Sequence, residues 1–411
     1  MSRKARLFLT VVILLSSLPA FPAMAAVAAS TCEDGPQASG AIYRICMPEP
    51  GGWNGDLVVY AHGYVAFNEP VGIPEDQLVL PDGTSIPEIM NGLGFAFATT
   101  SYSTNGLAVR EGIEDVRDLV EVFRAKHGNP GHVYLGGASE GGLVTALAVE
   151  QFPEVFDGGL STCGPVGSFR GQINTWGDLR VVFDLFFPGV IPGGPVDIPQ
   201  EVIDNWDTVY KPAIAAALRA NPDATAQLLR VAQVPVERDN PDSAVDVLLQ
   251  LLWYNVFATN DGIAKLGGQP FDNAHRVYWG SKNDLALNRQ VQRFRADPAA
   301  LQEMAARYQT SGHLVSPLVT LHTTGDPVVP YWHELYYAAA VQRSGSGPLH
   351  TNIPAFRHGH CNFKVSEVLV AFALLVLKVT GQELRGAEQV LPDAAAQAEF
   401  LHLAREVGAL R

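Results

Sequence analysis

The chain has 411 residues, 47% hydrophobic and 17% charged, so it can bury a large core and is not a disordered polymer. Its net charge of −14 excludes the basic face that nucleic-acid binding needs. One large domain with an insertion, or two domains, are both allowed at this length.

Residues 1–29 read as a secretory signal: Arg3, Lys4 and Arg6 give a basic start, residues 7–18 are apolar, and Ala23-Met24-Ala25 is a small-x-small cleavage site. The apolar run is too short for a stable membrane anchor, and Thr31 before Cys32 fits a lipoprotein cleavage box poorly. Cleavage would remove three basic residues and no acidic one, taking the net charge from −14 to −17. The expectation is a secreted or periplasmic protein without a membrane anchor. Cys32, Cys46, Cys163 and Cys361 are an even set in an exported chain, so two disulfides are expected. Three pairings are possible. Cys32 with Cys46 would staple the mature N-terminus to the first strand, and Cys163 with Cys361 would then link two loops beside the candidate site. No paired Cys/His spacing points to a metal.

Residues 41–48 and 56–61 read as strands joined by the turn Gly51-Gly52-Trp53-Asn54-Gly55, and the second runs into His62-Gly63-Tyr64. A Pro/Gly-rich loop spans 70–84, a short helix 86–91 and a buried strand 95–100. Ile113, Val116, Leu119, Val120 and Phe123 recur at helical spacing over 111–127. A strand then leads into Gly137-Ala138-Ser139-Glu140-Gly141 and a helix, and 156–162 is one more strand. Apolar strands alternating with amphipathic helices indicate an α/β fold with a mostly parallel sheet covered on both faces. From 165 to 312 the alternation stops. Helices are expected near 199–219, 222–233, 241–258 and 297–309, among Trp176, Trp206, Trp253, Trp279, Phe183, Phe186 and Phe187. An insertion at the carboxyl edge of a sheet is where a lid would sit. The α/β pattern resumes with a strand at 317–323, a helix over 331–342 and a strand near 350–353. A helix over 365–379 and an amphipathic tail over 386–411 follow. The expected organisation is a core of 30–164 and 313–411 carrying a helical cap of 165–312.

Gly137-x-Ser139-x-Gly141, with a strand before and a helix after, is the pattern of a nucleophile elbow. A serine hydroxyl needs a base, and the base needs an acid to hold its tautomer. Asp326 follows a strand end in Thr324-Gly325-Asp326-Pro327-Val328-Val329-Pro330, with Asp284 in reserve. For the base, His360 in Gly359-His360-Cys361 is preferred and His358 reads as structural. The oxyanion donors expected are the amides of Glu140 and Tyr64.

Taken together, His62-Gly63, Gly137-x-Ser139-x-Gly141, Gly325-Asp326-Pro327 and Gly359-His360-Cys361 resemble the α/β-hydrolase superfamily. The likeness is to secreted bacterial serine esterases and peptidases with a helical cap, over about 41–163 and 313–380. The resemblance implies an eight-stranded, mostly parallel sheet, Ser139 as nucleophile, Asp326 as acid and His360 as base. The His360-Cys361 pair is similar to tannase and feruloyl-esterase-like enzymes, in which a disulfide joins the elbow to the histidine loop. Here Ala138, not cysteine, precedes Ser139, so a bridge from Cys361 would go elsewhere, to Cys163. The expected function is hydrolysis of small or polymeric carboxylic esters without metal or organic cofactor. A serine aminopeptidase of the same fold is the alternative, for which Glu201, Asp204, Asp207 and Glu237 are candidate amine ligands. A non-catalytic binding module is the third reading.

Overall fold

A computed structural model describes residues 31–237 and 239–410. The expected signal peptide, 1–29, lies outside them. One sheet holds eight strands: β1 (Thr31–Pro36), β2 (Ile42–Met47), β3 (Leu57–Ala61), β4 (Ala96–Thr100), β5 (Val133–Ala138), β6 (Gly158–Thr162), β7 (Leu318–Gly325) and β8 (His350–His358). Their order across the sheet is β1-β2-β4-β3-β5-β6-β7-β8. The first two pairings, β1 with β2 and β2 with β4, are antiparallel, and every later one is parallel.

The sheet is covered on both faces. Leu57, Val59, Ala96, Ala98, Val133 and Leu135 pack under α2 (Val109–His127) and α3 (Glu140–Gln151). Their strand neighbours Val58, Phe97, Tyr134, Val319 and Leu321 pack on the opposite face. There they meet α1 (Ile86–Gly92), α12 (Val365–Thr380) and α13 (Ala394–Glu406). Because side chains alternate faces with period two, a strand covered on both sides is mostly apolar, and among the polar residues these strands bury, Thr99, Thr320 and His322 are hydrogen-bonded.

The expected staple between the N-terminus and the first strand is itself a strand, β1. It is an edge strand, polar and almost wholly exposed, so no alternation marks it. Cys32 lies opposite Cys46 in the β1–β2 register, and the two form a disulfide. β8 runs five residues past its expected end, to His358. The expected tail helix is split: a 3-10 turn at Ala387–Val390 is separated from α13 by Pro392, which cannot continue a helix.

Between β6 and β7 lie α4 (Phe169–Phe186), α5 (Gln200–Asp204), α6 (Lys211–Ala220), α7 (Pro222–Ala232), α8 (Ser243–Leu266), α9 (Asp284–Gln290) and α10 (Pro298–Arg307). The expected helix near 199–219 is α5 and α6 joined through a π-helical turn at Trp206–Tyr210. α4 through α9 close over a core of their own, including Phe183, Ile214, Leu228, Leu248 and Leu252. Val328 and Val329, from the loop after β7, pack into that core. α10 instead returns to the sheet, where Ala300 and Met304 join the α2/α3 core. α11 (Trp332–Arg343) packs beside it through Tyr337 and Val341.

Candidate active site

Ser139 sits between β5 and α3 with φ 57° and ψ −119°, a conformation that L residues avoid. The strain is held by close backbone packing. A Cβ on Gly137 would lie 2.2 Å from the Gly141 carbonyl oxygen, and one on Gly141 would lie 2.0 Å from that of Ala61. Only glycine permits the turn, and the turn projects the hydroxyl beyond the carboxyl edge of the sheet.

Three side chains distant in sequence meet there. Ser139 Oγ stands 2.8 Å from His360 Nε2, and His360 Nδ1 stands 2.7 Å from Asp326 Oδ2. Asp326 is 1% exposed, and its Oδ1 accepts the amides of Val328 at 2.8 Å and Val329 at 2.9 Å. Burial alone would raise its pKa. The charge of His360, with hydrogen bonds from His322 and His360, outweighs this and holds the carboxyl down at about 2. An ionised Asp326 fixes the proton of His360 on Nδ1 and leaves Nε2 bare, facing the serine hydroxyl.

The histidine loop is tethered. Cys361 is bonded to Cys163, just past β6, with the two Cα atoms 5.4 Å apart. Both cysteines have left-handed backbone, φ 50° and 47°. Cys163, His360 and Cys361 are the one group of potential metal ligands gathered among the described residues, and two of the three are consumed by the bridge.

The loop after β3 lies against the elbow: a Cβ on Gly63 would be 3.2 Å from that of Ser139. The Gly63 amide is already taken by Gln77 Oε1 at 2.7 Å. The Tyr64 ring turns to the insertion, where its hydroxyl donates to the Phe257 carbonyl at 3.0 Å and its edge meets Trp253 and Tyr254. His62, stacked 3.9 Å from Tyr102, is buried, and burial pushes its pKa down.

Ser139 opens into a narrow pocket of about 50 Å³ between the sheet edge and the insertion. Its walls include Leu143, Phe169, Ile173, Trp176, Tyr254 and Val329. Trp176 and Tyr254 stack at 5.0 Å, so two insertion aromatics face the site. Trp206, Phe183 and Phe187 are insertion core instead, and Trp279 is on the surface. A larger cavity, about 400 Å³, lies on the α1/α12 side of the sheet, lined by Tyr60, Met90, Leu160, Phe363 and Phe372 and reaching His360 and Cys361.

The reserve candidates separate cleanly. Asp284 accepts from the amides of Gly280 and Ser281, closing the turn that leads into α9, whose N-cap is Asn283. His358 Nε2 bonds the Pro235 carbonyl at 3.2 Å, tying β8 to the insertion. Glu201, Asp204, Asp207 and Glu237 are all exposed. One acidic residue that the sequence singled out only for its amide lines the pocket. Glu140 is 8% exposed, accepts the Ala108 amide at 3.0 Å, and is pushed up to about 8, chiefly by burial.

Strand order, parallel crossovers and a serine elbow after the fifth strand make this an α/β-hydrolase fold. No protein-family model and no curated protein sequence matches the chain. Among solved structures it is similar to Pyrococcus horikoshii acylaminoacyl peptidase, at 12% identity and a TM-score of 0.45, over 88% of this chain and 44% of that one. It is similar to Pyrococcus furiosus esterase Pf2001 at 8% identity and 0.40, over 81% and 84%. A Mycobacterium tuberculosis puromycin-hydrolyzing peptidase is similar at 11% and 0.44, over 85% and 39%. The chain spans less than half the length of the two peptidases.

Proposed function

We propose that the protein is a secreted serine hydrolase that cleaves carboxylic esters through an acyl-enzyme. The observation that carries this reading is the hydrogen-bonded chain Ser139–His360–Asp326, set at the mouth of an apolar pocket. Ser139 Oγ attacks the ester carbonyl carbon while its proton passes to His360 Nε2. The imidazolium so formed is stabilised by Asp326. The carbonyl oxygen, now anionic, is received by the amides of Glu140 and Tyr64, aided by the N-terminus of α3. Collapse of the intermediate expels the alcohol oxygen, which takes the proton from His360. Water, deprotonated by His360, then releases the acid and restores Ser139.

Residues 165–312 act as a cap in this reading, since α4 and α8 supply the aromatic wall of the pocket. Apolar acyl or aryl groups suit that wall better than sugars. Two disulfides fit an oxidising compartment outside the cytoplasm, in keeping with export. The test is Ser139→Ala, which should abolish p-nitrophenyl ester turnover with the circular dichroism spectrum unchanged. Undiminished turnover would end the assignment.

One observation favours a second reading, a serine aminopeptidase. Glu140 lines the pocket beside Ser139 and, once ionised above its raised pKa of about 8, would offer a carboxylate to a substrate amine. Turnover of aminoacyl arylamides exceeding that of the matched esters would select it.

A further inference from the structure

Behind Asp326 lies a second set of buried polar side chains that the steps above do not use. His322, on β7, is fully shielded from solvent. Its Nε2 faces the Val329 carbonyl oxygen at 2.8 Å. A carbonyl only accepts, so Nε2 must carry a hydrogen. Its Nδ1 faces Glu334 Oε1 at 2.9 Å. Glu334, on α11, is 2% exposed. Its other oxygen already receives Thr320 Oγ1 at 2.6 Å and Asn352 Nδ2 at 2.8 Å. The Asn352 amide is oriented by Tyr331, whose hydroxyl donates to Asn352 Oδ1 at 2.7 Å. Hydrogen bonds received by a carboxyl favour its ionised form, and against an ionised Glu334 Nδ1 donates as well. A ring that donates from both nitrogens is an imidazolium. Its Nε2 is also 3.5 Å from Asp326 Oδ2, the oxygen that holds His360.

We infer that His322 is a fixed imidazolium shared between Glu334 and Asp326, and that it acts as a positioning residue for the proposed triad. The inference rests on the triad reading above and adds a charge to it. At rest the buried set holds two carboxylates and one cation. When His360 takes the serine proton, the set becomes neutral. The charge is therefore balanced in the transition state and not before it, which is the difference that lowers a barrier.

The other groups facing His322 do not supply that charge. His333, on α11, accepts the amides of Gly167 and Ser168 at Nδ1 and meets Gln172 Oε1 at Nε2, which makes it neutral. Burial holds its pKa well down. His350, on β8, approaches Thr320 Oγ1 at 3.2 Å and is also pushed down by burial. Tyr331 meets the His322 ring edge-on at 5.8 Å and carries no charge at neutral pH. Burial opposes a charge on His322 too, but the hydrogen bonds it donates to Asp326 and Glu334 lift its pKa to about 10.

The experiment compares kcat and KM against pH for the wild type, His322→Gln, and His322→Gln with Glu334→Gln. The single variant leaves two carboxylates without their cation. We expect a loss in kcat of about tenfold or more, KM within about twofold, and the acid limb of kcat/KM moved up by about one pH unit. The double variant removes one charge of each sign and should bring the acid limb back and recover most of kcat. A role in packing alone would not be rescued by a second substitution. An unmoved acid limb in the single variant, or a double variant as impaired as the single one, overturns the inference. Should His322→Gln fail to fold, nitrogen-15 spectra of the wild-type histidine rings decide. Both nitrogens of the His322 ring should remain protonated at pH 8, and one bare nitrogen overturns the inference. This charge state is read without turnover, so its failure is distinct from that of the triad reading, which Ser139→Ala tests.

Discussion

The two disulfides should separate stability from catalysis. Replacing Cys163 and Cys361 together by alanine opens a loop of 198 residues, and replacing Cys32 and Cys46 opens one of 14. In the chain-entropy account, these restore about 5 and about 3 kcal/mol of freedom to the unfolded state. For a chain of this length the midpoint of thermal unfolding should fall by about 6 °C and about 4 °C. Their effects on turnover should differ far more. β1 is an exposed edge strand, so freeing Cys32 leaves the triad untouched. Cys361 follows His360, and the bridge holds both of its cysteines at positive φ. That conformation costs about 1–2 kcal/mol for a residue with a Cβ. Once unbridged, the loop can relax out of it and carry the imidazole with it. A displacement of about 1 Å is worth about 100-fold in rate. The assay is kcat on a p-nitrophenyl ester, at least ten degrees below each variant's midpoint. We expect a drop of about ten- to 100-fold for the Cys163/Cys361 pair and none for the other. A Cys163/Cys361 variant that keeps kcat within twofold of the wild type would refute the idea that the bridge positions His360.

Asp326→Asn keeps an oxygen for the Val328 and Val329 amides but turns an NH₂ toward His360 Nδ1, forcing the wrong tautomer; kcat should fall about 10,000-fold with the fold intact. Glu140 has a folded pKa of about 8 against 4.5 unfolded, so its contribution to stability is complete below 4.5 and lost as pH rises through 8. Glu140→Gln should flatten that decline in urea midpoints between pH 5 and 8.5, and an equal slope in both proteins would show that Glu140 is not the group responsible. Gly137→Ala puts a methyl 2.2 Å from the Gly141 carbonyl oxygen and should destabilise by roughly 2 kcal/mol or more, read by urea denaturation.

Where structure is set by local chemistry, the chain announces it. The apolar strands, the glycines of the elbow and the Gly325-Asp326-Pro327 turn each do one thing for one steric or solvation reason, and each is found where expected. Two elements of the insertion escaped for a physical reason. α4 buries Gln172, Asp178 and Arg180 among its apolar residues, so its stripe is not a run of hydrophobic letters. Gly177 within it reads as a helix breaker, yet a Cβ there would lie 2.3 Å from the Phe271 ring. α9 is seven residues long with one buried side chain, too short for a period to register.

The same reason governs what was hidden at the candidate site. Ser139, Asp326 and His360 stand beside turns that a single stretch of sequence can disclose. His322 sits mid-strand in Leu318–Gly325, where it reads as one polar residue among Thr320, Thr323 and Thr324, and Glu334 reads as a first-turn acid of α11. Nothing within either stretch says that they meet. What joins them is the pairing of β7 with β8, which brings Asn352 opposite Thr320, and the return of α11 over the sheet. A buried charge is legible only through its partner, because alone it would be too costly to keep. A histidine in a buried strand beside a candidate acid is thus a question about a partner elsewhere in the chain. Here Glu334 is that partner.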